Sequence, residues 1–97
     1  MKTVHTLKTL PQYFQLTWLG LKYFEYRKDD RGFQPGDTVL LVETAQDGKK
    51  TGRTIKMTIS YVINDRGIGL PSGYVILGLS RGGVPPALLD SAFIPAR

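Results

Sequence analysis

Thr54-Ile55-Lys56-Met57-Thr58-Ile59-Ser60-Tyr61-Val62-Ile63 alternates its side chains with a period of two. That pattern belongs to a strand with one face buried and the other wet, so Ile55, Met57, Ile59, Tyr61 and Ile63 are expected on the core side of a sheet. Upstream, Asp47-Gly48 marks a turn, and residues 38–43, with an apolar run over 39–42, read as a second, buried strand. Downstream, a glycine-bearing loop over residues 64–73 leads into residues 74–79, almost continuously apolar and read as a central strand. Residues 3–8 give a further short strand, Val4, Thr6 and Lys8 alternating against Thr3, His5 and Leu7. In residues 23–27 the same alternation sets Phe24 and Tyr26, expected in the core, against Tyr23, Glu25 and Arg27 on a polar face.

One helix interrupts the strands. Thr9, three residues before Gln12, has the form of a capping box, and Pro11 falls in the first turn, where its missing N–H costs nothing. Leu10, Phe14, Trp18 and Leu21 recur at spacings of four and three, and Gly20 is placed to close about three turns in the left-handed conformation. Residues 28–37 mix charges with Gly32, Pro35 and Gly36 and read as a loop. The sum is an α+β fold: one main helix with about five to six strands in a small, partly closed β-barrel. Residues 1–80 form this domain, and residues 81–97, rich in proline, a surface-following or disordered tail.

Composition bounds the function. At 97 residues, 41% hydrophobic, the chain is one small domain, which excludes multi-domain mechanisms and large cofactor cavities. It has no cysteine, so disulfides, thiolate metal sites and a cysteine nucleophile are excluded. No apolar run approaches the roughly 20 residues that cross a bilayer, and no charged segment followed by an apolar block opens the chain. A soluble, cytoplasmic protein with no membrane contact is therefore expected; the oligomeric state is open in the sequence, and a monomer is assumed. A net charge of +5 points to an acidic partner, of which nucleic acid is the commonest. No cofactor is indicated: Gly67, Gly69 and Gly73 lack the lysine and hydroxyl of a phosphate-binding loop. No metal is expected either, because one histidine and scattered carboxylates have no ligand spacing. That histidine, His5, is read as a packed, hydrogen-bonded residue, with general acid–base work as the alternative. Asp37, following Gly36, is read as capping its own backbone.

The densest chemistry is Gly20-Leu21-Lys22-Tyr23-Phe24-Glu25-Tyr26-Arg27. Glu25 and Arg27, two apart on a strand, lie roughly 7 Å from each other on one face. Lys22 joins them only from a turn before the alternation begins. A lysine beside a second cation can serve as base or nucleophile, and a carboxylate there can shuttle protons or hold an amino group. An ordinary surface ion-pair cluster is the plainer reading of the same three residues.

Gly20, Lys22, Glu25 and Arg27, as Gly-x-Lys-x-x-Glu-x-Arg, resemble the signature of the ASCH superfamily of PUA-like barrels. The likeness extends to a phage and bacterial branch through Phe33, Gly36-Asp37 and Thr51-Gly52-Arg53, and it covers roughly residues 3–80. The resemblance implies a cleft beside the helix that holds RNA or a nucleobase, with Lys22 and Arg27 facing the ligand. Lys22, Glu25 and Arg27 are then the centre of an RNA-binding site, Lys8, Arg31 and Arg53 its rim, and Tyr74, with Tyr23 or Tyr26, a stacking surface for a displaced base. Some relatives resemble amidohydrolases of a modified nucleoside, but where their pattern has a threonine this chain has Glu25. The rival expectation is a small hydrolase, ribonuclease or amidohydrolase-like, with Lys22 as base or activator and Glu25 as proton shuttle.

Overall fold

The computed structural model describes residues 3–64 and 66–81, and the tail beyond Arg81 lies outside them. Five strands and one α-helix are present among the described residues: β1 (Val4–Thr9), α1 (Pro11–Trp18), β2 (Phe24–Lys28), β3 (Thr38–Thr44), β4 (Lys50–Ile63) and β5 (Tyr74–Ser80), with a 3-10 turn at Arg66–Ile68. The sheet order is β1-β3-β4-β5-β2. β3, β4 and β5 form an antiparallel meander, β2 adds antiparallel to β5, and β1 adds to β3 in parallel. The sheet curls into a half-barrel.

β1 and β2 follow one another in the chain yet occupy opposite edges of this sheet, with α1 carrying the chain between them. The curl brings the two edges together, and arginine side chains supply the donors a strand would have. Arg27 Nη2 donates to the Lys8 carbonyl at 2.6 Å and Arg31 Nη1 to the Thr6 carbonyl at 2.6 Å. These carbonyls, two residues apart, belong to one edge of β1.

Helix α1 differs from its sequence reading at the start. Thr9 is the last, buried residue of β1, no side chain caps the helix, and the N-cap is Leu10, held extended by the proline that follows. Pro11 in the first turn replaces a donor that capping would otherwise have to satisfy. The helix spans eight residues, little more than two turns. Its end matches expectation: Gly20 adopts φ +78°, its amide donates to the Thr17 carbonyl, and the Leu21 amide donates to the Leu16 carbonyl. Only Phe14 and Thr17 are buried; Leu10, Trp18 and Leu21 are exposed, because a two-turn helix crossing a small barrel covers it with a narrow face.

The strand faces hold two further corrections. Residues 55, 57 and 59 point inward as expected, but the register of β4 on β5 slips between Ile59 and Tyr61. One extra residue reverses the faces beyond it, so Val62 packs on the core while Tyr61 points outward. In β2 the expected faces are inverted: Glu25 is buried opposite Leu77, and Phe24 and Tyr26 stand outside, about half exposed. Aliphatic side chains from β3, β4 and β5, with Phe14 and Phe33, already fill the interior, which leaves the β2 aromatics no place in it.

Phe14 is the largest of the fully buried side chains. Phe14→Ala is expected to lower the unfolding free energy by roughly 3–5 kcal/mol, read as a shifted urea midpoint at unchanged slope.

Candidate functional site

The turn after α1 places the candidate residues. With Gly20 left-handed, the Leu21 and Lys22 amides both fold back to the Leu16 carbonyl, at 2.8 and 3.2 Å, and Lys22 sits on the turn immediately before β2. From there Lys22 Nζ reaches Glu25 Oε2 at 2.5 Å. The other carboxylate oxygen, Oε1, accepts from Arg27 Nε at 3.1 Å, with Arg27 Nη2 at 3.0 Å. The Glu25 carboxylate, 4% exposed, thus has a cation on each oxygen, the arrangement a buried charge requires. Lys22 Nζ also lies 5.1 Å from the Phe24 ring centroid and 5.8 Å from that of Tyr13, within cation–π range.

Tyr13, Lys22, Phe24, Glu25 and Tyr26 line a cleft of about 330 Å³ at this corner. It offers aromatic walls, one ammonium and a carboxylate, which suits a flat ligand bearing negative charge and hydrogen-bond donors. Lys22 and Arg27 divide their work. Lys22 lines the cleft, whereas Arg27 spends its donors on Glu25, the Lys8 carbonyl and, at 3.5 Å, Thr9 Oγ1.

The remaining candidates are dispersed. Tyr74 does not line the cleft; its ring stacks on Tyr26 at 5.4 Å between centroids. Lys8 is exposed on the outer side of β1, and Arg31 is taken up by Thr6 and, at 3.5 Å, by Asp30. Arg53 belongs to a second ion cluster. It donates from Nε and Nη2 to buried Glu43 at 3.0 and 2.8 Å and from Nη2 to Gln15 at 3.0 Å, and its guanidinium carbon lies 5.0 Å from both the Phe14 and Trp18 rings. Thr51 Oγ1 donates to the same carboxylate. The local backbone explains this cluster: β3 and β4 shift register between Val42 and Thr44, and Gly52 takes φ +101°, so Thr51 and Arg53 flank Glu43 together. Sequence reading missed Glu43; its one signal is a carboxylate ending an apolar run.

A third buried carboxylate, Asp37, faces His5 Nε2 at 2.8 Å and accepts from the Gln34 amide at 3.1 Å and the Thr3 amide at 3.4 Å. His5 is buried, with Phe33 edge-on at 4.7 Å, as the packed reading anticipates. A second cleft of about 440 Å³, beside Trp18, Lys56 and Arg81, lies where Arg81 caps the Thr17 and Trp18 carbonyls. Among the described residues no group of His, Asp and Glu converges as metal donors, and no helix is long and apolar enough to cross a membrane.

Burial pushes the Asp37 carboxyl up, and the hydrogen bonds from His5, Thr3 and Gln34 overcome it and hold the group below the ordinary aspartate range. Hydrogen bonds from Arg53, then from Thr51, hold Glu43 below the glutamate range. Both carboxyls bind protons more readily unfolded than folded. Their stabilisation is therefore complete above about pH 4–5 and lost as pH falls through the lowered folded values. Melting temperature is expected to drop on acidification below about pH 5, and Asp37→Asn to flatten that dependence; an equally steep profile in the variant would assign the acid sensitivity elsewhere. Arg27→Ala, which strips one cation from Glu25 and the donor from Lys8, is expected to cost roughly 1–3 kcal/mol. Arg27→Lys should not restore it, since a lysine lacks the fork that spans Glu25 and the β1 edge; denaturant midpoints of the two variants check this.

The chain is 40% identical over 62 residues to an uncharacterised 12.9 kDa protein in the GpA 3′ region of Escherichia phage P2, an alignment covering 64% of this chain and 56% of that protein. The chain thus spans little more than half the length of the curated relative it matches. A family model described as "Domain of unknown function (DUF3850)" matches residues 4–79, the whole sheet from β1 almost to the end of β5, and the chain belongs to that family.

Proposed function

We propose that this domain binds RNA through the cleft beside Lys22 and Glu25, that its half-barrel is of the PUA-like, ASCH type, and that it acts as a cytoplasmic monomer. The observation that carries the reading is the Lys22–Glu25–Arg27 cluster at the base of an aromatic cleft. Arg27 and Lys22 neutralise Glu25, and Lys22 keeps further N–H donors for an approaching phosphate or base oxygen. The Glu25 oxygens can accept from an exocyclic amine, and Tyr13, Phe24 and Tyr26 can cover a base face. A net charge of +5 adds the attraction that brings a polyanion to the surface.

Hydrolysis in the same cleft finds less support. Lys22 and Glu25, the base and the proton shuttle of that reading, are paired with each other at 2.5 Å, and Arg27 holds the second Glu25 oxygen. Thr51 lies outside the cleft and donates to Glu43, which its hydrogen bonds hold below the glutamate range and so make a weak base.

A fluorescent single-stranded RNA titrated across a salt series tests the reading. Affinity should fall with salt, and Lys22→Ala should weaken binding and reduce the log–log slope by about 0.7, one phosphate's share. The RNA should be recovered intact. Salt-independent or absent binding would overturn the reading, and cleavage by wild type but not by Lys22→Ala would replace it with the hydrolase.

A further inference from the structure

The outer face of β4, β5 and β2 carries large side chains in register. Tyr61, Gly78 and Phe24 form one row across the three strands; Ile63, Ile76 and Tyr26 form the next; Tyr74 faces Lys28 in the third. Rows on one face of a sheet stand about 7 Å apart. Phe24, Tyr26 and Tyr61 are each nearly half exposed, at 47, 49 and 46%. Tyr26 and Tyr74 lie with their ring planes 22° apart, already stacked. At Gly78 an added Cβ would come within 1.9 Å of the Tyr61 ring, so the missing side chain is what allows that ring to lie down on β5. The slip of register in β4 is what turns Tyr61 to this side.

Packing does not account for this face, since the core is complete on the other side of the same strands. Its charge identifies the partner. Lys28 ends β2 beside Tyr74 and Lys22 borders Phe24, while no carboxylate stands in the three rows, Glu25 being turned inward. Flat rings on a sheet face whose three rows carry a lysine and no carboxylate are complementary to unstacked bases on a phosphate backbone.

We infer that this outer face is a stacking track for single-stranded RNA, continuous with the cleft through Phe24 and Tyr26, which belong to both. The inference rests on the RNA-binding reading and narrows its ligand: an extended single strand, rather than a duplex or a free nucleoside. Tyr61 is the residue that separates the two claims, because it lies on the track and does not line the cleft.

The test uses the full chain with a single-stranded uridine oligomer of about ten nucleotides, an RNA duplex of equal length, and uridine monophosphate. Tyr61→Ala is expected to weaken the oligomer about tenfold, to leave uridine monophosphate binding unchanged, and the duplex is expected to bind more weakly than the single strand. Tyr61→Phe should retain oligomer binding; Tyr61→Leu, which keeps bulk and loses the ring, should not, and serves if the alanine variant does not fold. Wild-type oligomer affinity in both Tyr61→Ala and Tyr61→Leu, alongside a loss in Lys22→Ala, would overturn the track and leave the cleft standing. Absence of binding to oligomer and monophosphate alike would overturn both. A concentration-dependent dimer abolished by Tyr61→Ala would make the face a contact between copies of the chain and overturn the track.

Discussion

Closure of the sheet at its seam is the constraint on which the rest depends. β1 and β2 end the sheet on opposite sides, and each would present unpaired backbone groups. Two guanidiniums, from Arg27 and Arg31, span the gap to carbonyls of β1. An arginine can do this where a lysine cannot, because its planar fork reaches a carbonyl and a carboxylate at once. Glu25 follows from that geometry: its buried carboxylate aims Arg27, and Lys22 balances the charge that remains.

The same solution recurs at the other polar positions in the interior. Glu43 is clasped by Arg53 and Thr51 across a break in the β3–β4 register, and Asp37 by His5 and two backbone amides where the loop enters β3. Glu43 sits at the break in the β3–β4 register and Asp37 immediately before β3, whereas Glu25 lies within the β2–β5 ladder and is satisfied from its own strand and from the turn before it. None of the buried side-chain polar atoms among the described residues lacks a partner. A domain this small has few apolar contacts to spare, and fully satisfied ion clusters fix its geometry at the places the core does not reach.

This arrangement divides Lys22 and Arg27 by role. Arg27 is consumed by the scaffold, and Lys22, on the turn before β2, is the cation left facing the cleft. The aromatic residues divide in the same way. Phe14 and Phe33 build the core, while those of β2, β4 and β5 stand on the outside, where large rings have no packing duty and are available to a partner.

Sequence by itself determined the elements: the strand patterns, the helix closed by Gly20, the turn at Asp47-Gly48 and the grouping of Lys22, Glu25 and Arg27 all follow from local periodicity and turn chemistry. Tertiary structure decided which face of each element is inside. Alternation in β2 shows two faces but not their direction, and only a core already filled by β3, β4 and β5 turns Glu25 inward and Phe24 and Tyr26 out. One residue of slip in β4, invisible to a period-two pattern, does the same for Tyr61 and Val62. The parallel pairing of β1 with β3 and the clasp of Arg53 on Glu43 were likewise beyond local reading, because they join residues distant in the chain, and a sequence states no distance between them.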